Sequence, residues 1–193
     1  MNPTTNGATT RRDFLKTTTA TAAGALASQL ALTANVHADG NDTIKVGIIG
    51  CGGRGSGAVS NVLHAADNVE IVACGDAFQF RVDGFRGHVE NEVKKDEVKK
   101  RNNTSSLTKD NCFAGLNAYQ DVINSGANYI ILATPPGFRP LHLQAAVAAG
   151  KNIFTEKPVA VDGPGYRKVI EAYQTALKKK LGIAAGKIGR AHV

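Results

Sequence analysis

The sequence has 193 residues, of which 42% are hydrophobic and 20% are charged, and its formal net charge is +7. Between Asp39 and Gly186 there are 18 Lys and Arg against 15 Asp and Glu, which leaves +3. So small an excess gives no reason to expect nucleic acid or a membrane surface as a partner. The length allows one domain, or one and a half.

The first 38 residues are typical of an export signal. Arg11 and Arg12 form a twin-arginine pair, a weakly apolar stretch follows from Thr17 to about Val36, and residues 36–38 are a small-residue cleavage site. Polar residues interrupt the stretch before it reaches the ~20 apolar residues that a spanning helix needs. We expect residues 1–38 to be a signal peptide read by the twin-arginine machinery, with a periplasmic mature protein and no membrane insertion.

The most informative pattern begins at residue 44. The apolar run Ile44–Ile49 predicts a buried parallel strand, and it leads into a Gly-x-Gly-x-x-Gly turn and a helical segment at 58–66. Gly50 permits the tight turn, Gly52 lets the backbone approach a pyrophosphate, and Gly55 lets the helix pack close to the strand. The helix N-terminus then faces the phosphates. The predicted phosphate site consists of Gly50, Gly52, Gly53, Arg54 and Gly55.

A second strand, Val69–Cys74, leads to Asp76, which lies 21 residues beyond Gly55. At this distance a carboxylate reaches the adenosine ribose hydroxyls, and it favours NAD because it repels a 2′-phosphate. NADP remains open, since Arg81 is near enough to accept that phosphate. The alternative is that Asp76 is only a turn residue.

Strands and helices alternate through the rest of the chain. The pattern predicts a helix over 79–101, a loop over 102–111, a short strand at 112–114, a helix around 119–123, a strand at 129–133, a helix at 141–149, a strand at 152–155, a helix at 164–180 and a sixth strand at 181–185. This order predicts an α/β fold with a doubly wound parallel sheet, a Rossmann domain, and a ligand crevice at the carboxyl ends of the strands.

Three cysteines, Cys51, Cys74 and Cys112, have neither the spacing of a metal site nor an even number for pairing. We interpret the first two as small apolar residues of the interior. No metal site and no disulfide framework is predicted.

Motifs of the second half carry a resemblance to a known family. They are Ala133-Thr134-Pro135-Pro136, His142, Ala149-Gly150-Lys151 and Glu156-Lys157-Pro158. Together with the glycine turn, they resemble the N-terminal domain of the Gfo/Idh/MocA family (glucose-fructose oxidoreductase, inositol 2-dehydrogenase, rhizopine catabolism). The resemblance covers residues 44–186.

The resemblance implies an enzyme that moves a hydride between a nicotinamide ring and a hydroxyl-bearing carbon of a sugar or cyclitol. It implies that Lys157 assists proton transfer beside the nicotinamide, with a pKa lowered by desolvation, and that Glu156 orients Lys157 or touches the nicotinamide ribose. Thr134 and Pro135 would line the nicotinamide half of the crevice, and His142 would lie near the cofactor. The alternative for His142 is a helix histidine with a solvent partner.

Members of that family continue into a second, substrate-binding domain, which usually carries the oligomer interface and is absent from this chain. We therefore expect residues 39–186 to be the dinucleotide-binding domain of a protein that is a homo-oligomer at full length. Residues 187–193 match a translation of a common sequencing adapter, so we interpret them as a non-native tail. Two alternatives to a sugar or polyol oxidoreductase remain: a glycoside hydrolase that uses NAD transiently, and a nucleotide-binding module without chemistry.

Overall fold

The computed structural model of the chain describes residues 43–186. The predicted signal peptide and the predicted tail at 187–193 lie outside these residues. No helix within residues 43–186 is long and apolar enough to cross a membrane.

The described residues form one parallel sheet with helices on both faces. Its strands are β1 (Ile44–Ile49), β2 (Val69–Asp76), β3 (Thr104–Ser105), β4 (Cys112–Ala114), β5 (Tyr129–Leu132), β6 (Asn152–Glu156) and β7 (Ile183–Gly186). Its helices are α1 (Gly53–Ala65), α2 (Gln79–Glu92), α3 (Asp96–Lys99), α4 (Ala118–Asn124), α5 (Arg139–Ala148) and α6 (Gly163–Lys179). The strand order is β3-β2-β1-β5-β6-β7, with β4 also pairing with β2. The predicted doubly wound Rossmann fold is confirmed.

Two apolar cores lie on opposite faces of the sheet. Successive strand residues alternate between them: Ile48 packs with the first core and Ile49 with the second, and Ile131 and Leu132 divide in the same way. The first core is closed by α1, α2 and α3, and the second by α4, α5 and α6. This explains why the central strands read as continuous apolar runs, since a parallel sheet is covered on both sides.

Helix α4 packs closely against the sheet. A Cβ placed on Gly47 or on Gly75 would come within 2.8 Å of the Val122 side chain. The absence of a side chain at these two strand positions therefore lets α4 approach β1 and β2, a requirement that hydrophobic periodicity did not reveal.

The structure corrects three element assignments. Helix α1 begins at Gly53 rather than at residue 58, because the glycine motif itself supplies its first turn. The predicted helix over 79–101 is two helices, α2 and α3, separated by an extended residue, Lys95. The predicted loop over 102–111 contains β3, whose two residues are too few to show a pattern.

The contact between α1 and the turn before it leads to a prediction. A Cβ on Gly55 would lie 1.9 Å from the Gly50 carbonyl oxygen, whereas a Cβ on Gly57, in the same helix, meets nothing within 4 Å. We expect Gly55→Ala to lower the free energy of unfolding by about 3 kcal/mol, because the backbone must move to admit the methyl group. Gly57→Ala is the control, and it should stabilise the helix by up to about 1 kcal/mol. Urea unfolding measures both, and an equal response would contradict this account.

Candidate functional site

A cavity of about 580 Å³ lies at the carboxyl ends of the strands. It is lined by the segments that follow β1, β2 and β5. The strand order reverses between β1 and β5, because the chain proceeds outward from β1 to β2 on one side and from β5 to β6 on the other. Such a reversal opens a crevice between two loops that turn apart, and ligands of open α/β sheets bind there.

The glycine turn forms the floor of the cavity through close backbone contacts. Gly50 has φ of +102°, and a Cβ there would lie 2.7 Å from the backbone nitrogen of Thr134. Gly55 packs against Gly50 on the other side. Three backbone segments thus meet where no side chain fits, and this contact fixes the start of α1.

The next two glycines leave room for a ligand. A Cβ on Gly53 would meet nothing within 4 Å, and one on Gly52 would meet only the Arg81 guanidinium, at 3.2 Å. The N-terminus of α1 has no side-chain cap and no acidic residue in its first turn. Its amide groups and its positive dipole end, with Arg54 beside them, therefore fit a pyrophosphate.

Asp76 occupies the end of β2 and lines the same cavity. Its Oδ2 accepts a hydrogen bond from the Cys51 backbone nitrogen at 2.8 Å, and its Oδ1 accepts one from the Phe78 nitrogen at 3.1 Å. The Asp76 carboxylate therefore orders the loop that follows β2 and ties that loop to the glycine turn. Each carboxylate oxygen keeps capacity for a second bond, so the ribose hydroxyls can still be recognised.

Arg81 lies at this end of the cavity as well. Its side chain is exposed and stands over the Phe80 ring, 5.5 Å from the ring centroid. Asp76 and Arg81 thus place opposite charges near the expected ribose position.

The other half of the cavity is built from the loop after β5 and from α5. Thr134 and Pro135 line it, and Thr134 Oγ1 lies 3.2 Å from Nδ1 of His142. His142 is only 5% exposed and stacks on Tyr119, with 4.4 Å between ring centroids. Burial lowers the pKa of His142 to about 4, so its imidazole is neutral at pH 7. The alternative of a solvent-bonded helix histidine is wrong.

The Glu-Lys-Pro segment lies beside the cavity, and its residues do not line it. Glu156 is buried, Lys157 is exposed, and the peptide bond between Lys157 and Pro158 is cis. The structure therefore corrects one expectation: residues 43–186 leave the Lys157 ammonium in solvent and do not desolvate it.

One buried residue of the cavity wall, Arg139, was not predicted from the sequence. Arg139 is the first residue of α5, is 6% exposed and lines the cavity. Sequence alone gave no signal for it, because an arginine at a helix start is ordinarily a surface residue.

Comparison with known proteins identifies the fold family. The Gfo/Idh/MocA model, described as an oxidoreductase family with an NAD-binding Rossmann fold, matches residues 44–186. The chain belongs to this family. NAD is therefore the cofactor of this Gfo/Idh/MocA domain, and the open glycine turn fits its pyrophosphate.

Individual relatives agree with this assignment. The chain is 31% identical over 168 residues to a glycosyl hydrolase family 109 protein of Shewanella pealeana, covering 78% of this chain and 34% of that protein. It is 28% identical over 145 residues to an inositol 2-dehydrogenase of Azotobacter vinelandii, covering 72% of this chain and 35% of the relative. The chain thus spans about a third of the length of these curated relatives.

A solved structure supports the fold. It is the scyllo-inositol dehydrogenase of Lactobacillus casei with bound NAD(H) and scyllo-inositol. The TM-score is 0.51 at 19% identity, over 75% of this chain and 36% of that one. At this identity the likeness bears on the fold alone.

The position of Asp76 gives a test of cofactor preference in this Gfo/Idh/MocA domain. Asp76→Asn keeps one oxygen acceptor for the loops but removes the charge that repels a 2′-phosphate. We expect the ratio of NADP to NAD affinity to rise by about fivefold or more, since ~1 kcal/mol of repulsion is lost. Nucleotide titration by calorimetry measures both affinities.

Asp83→Asn is the matched control, because it removes the same charge from an exposed position of α2 outside the cavity. It should leave the ratio unchanged. If the ratio is also unchanged in Asp76→Asn, Asp76 does not face the ribose.

Proposed function

We propose that this chain is the cofactor-binding part of an oxidoreductase that transfers a hydride between the nicotinamide of NAD and a hydroxyl-bearing carbon of a sugar or cyclitol. The observation that carries the proposal is one cavity at the strand reversal, with the glycine turn and Asp76 at one end and Thr134 and His142 at the other. The relative of 28% identity that is named as an inositol 2-dehydrogenase supports the substrate class.

Bound NAD would supply the hydride acceptor, and the residues of the chain would bind and orient it. The α1 N-terminus holds the pyrophosphate, and Asp76 holds the ribose. Neutral His142 keeps Thr134 in place without adding a charge beside the nicotinamide. Lys157, directly after β6, would hydrogen-bond the reacting hydroxyl and assist transfer of its proton as the hydride leaves the same carbon, and Glu156 would orient Lys157.

We further propose that the complete protein, at the length of its relatives, has a second domain that covers the cavity and supplies the substrate contacts, the acid-base partner and the oligomer interface. Leu116, Phe78 and Phe138 line the cavity and are exposed. An apolar rim of this kind suits a covering surface that excludes water. Such a cover would also desolvate Lys157.

The functional test uses a complete protein of the relatives' length. With NAD and myo-inositol or scyllo-inositol, turnover should raise the absorbance of reduced nicotinamide. We expect Lys157→Ala to lower kcat about 100-fold or more, within the range of general acid-base catalysis, with NAD affinity unchanged. Lys168→Ala, an exposed lysine of α6, is the control. Residues 39–186 alone should give no turnover, because they lack half of the walls that orient a substrate.

A glycoside hydrolase that uses NAD transiently is the second candidate. Relatives of 31% and 30% identity are glycosyl hydrolase family 109 proteins, which is the observation in its favour. Such an enzyme would release the aglycone of an aryl glycoside with no net change in cofactor absorbance. Net NADH formation from a free cyclitol would instead support the oxidoreductase. If NAD binds and Lys157→Ala changes neither reaction, a nucleotide-binding module without chemistry is favoured.

We also propose that the protein is exported by the twin-arginine route. The support is the Arg11-Arg12 pair and the weakly apolar stretch behind it. Because bound NAD stabilises the folded form, the protein should cross the membrane folded around its cofactor. Changing both arginines to lysine should leave the protein in the cytoplasm, as judged by fractionation. Normal export of that variant would show that the segment is not such a signal.

A further inference from the structure

Arg139 makes contacts that packing alone does not require. Its Nη1 donates hydrogen bonds to the backbone carbonyl of Glu156, at 2.8 Å, and to that of Pro158. These two carbonyls flank Lys157 on either side. One guanidinium nitrogen therefore holds the peptide unit that joins Glu156 to Lys157 and the unit that follows Pro158.

Arg139 also joins this segment to the nicotinamide side of the cavity. It begins α5 directly after the loop that carries Thr134 and Pro135, and His142 of the same helix contacts Thr134. A rigid helix end thus fixes the distance between the cavity wall and the Lys157 backbone.

The charge of Arg139 is costly where it lies. Burial lowers the pKa of its guanidinium, the Glu156 carboxylate opposes that effect, and Arg54 adds to it. Its Nε finds no hydrogen-bond partner among the described residues. A buried donor without a partner destabilises the fold, and an apolar side chain of similar length would avoid that loss. Arg139 is therefore kept buried although its charge and its unpaired Nε lower the stability of the fold.

We infer that Arg139 is a positioning residue, which holds the backbone before Lys157 and after Pro158 and so presents the lysine to the nicotinamide end of the cavity. This inference rests on the proposed role of Lys157. Arg139 acts through Lys157, and it should affect turnover rather than NAD binding.

The first experiment needs no activity and uses the chain as it stands. Hydrogen-deuterium exchange is compared for the native chain, Arg139→Met and Arg139→Lys. We expect the amides of Lys157, Val159 and Ala160 to exchange at least tenfold faster in Arg139→Met, while residues 44–57 stay protected. Arg167→Met, which removes an exposed arginine of α6, is the control and should match the native chain.

If Arg139→Met loses protection throughout, Arg139→Lys decides the question, because it keeps the charge and most of the stem. Its shorter reach should loosen 157–160 selectively. Native exchange at 157–160 in either folded variant would overturn the inference.

The second experiment is a double-mutant cycle in the complete protein, assayed with NAD and scyllo-inositol. Arg139→Met alone should lower kcat about 30-fold and leave the KM for NAD within threefold. In the Lys157→Ala background, Arg139→Met should lower kcat less than twofold, because the side chain that Arg139 positions has been removed. A purely structural role would lower activity equally in both backgrounds, and that result would overturn the inference while leaving the proposed function intact. A native rate in Lys157→Ala would overturn the proposed function, and the inference with it.

Discussion

The structure depends on one contact between backbones. The carbonyl of Gly50 lies where a Gly55 side chain would be, and Gly50 itself lies against the backbone at Thr134. These contacts bring the ends of β1 and β5 and the start of α1 to one point. Because the glycine turn and the loop after β5 both begin at that point, a displacement there would reach the phosphate end and the nicotinamide end together.

The sequence was sufficient for the fold and for the parts of the site that depend on backbone chemistry. Glycines that need positive φ or close approach leave a fixed spacing, and buried parallel strands leave apolar runs. The alternation of strand and helix then determined the position of the crevice. The start of α1 was misplaced because a glycine turn does not look helical, although Gly53 and Gly55 of that turn lie within the helix.

The sequence could not show which polar side chains are buried. Asn103 donates to the carbonyls of Leu63 and Ala66 and accepts from the Val69 nitrogen, yet it lies in a stretch that reads as a polar loop. Nothing in the sequence marks His64, but its two ring nitrogens lie 3.1 and 3.3 Å from the carboxylates of Glu92 and Glu97. The contacts of these residues, like those of Arg139, form between segments that are distant in the sequence. They could not be predicted because polar residues are exposed on average.

The two hydrogen bonds of Asp76 constrain how this domain can evolve. The same carboxylate that would select the ribose also ties the glycine turn to the end of β2. If Asp76 were replaced by a small neutral residue so that the domain could bind NADP, the same substitution would loosen the glycine turn. An earlier substitution elsewhere would therefore have to order the glycine turn before Asp76 could be replaced. The history of cofactor preference in this domain then depends on the order in which substitutions occur.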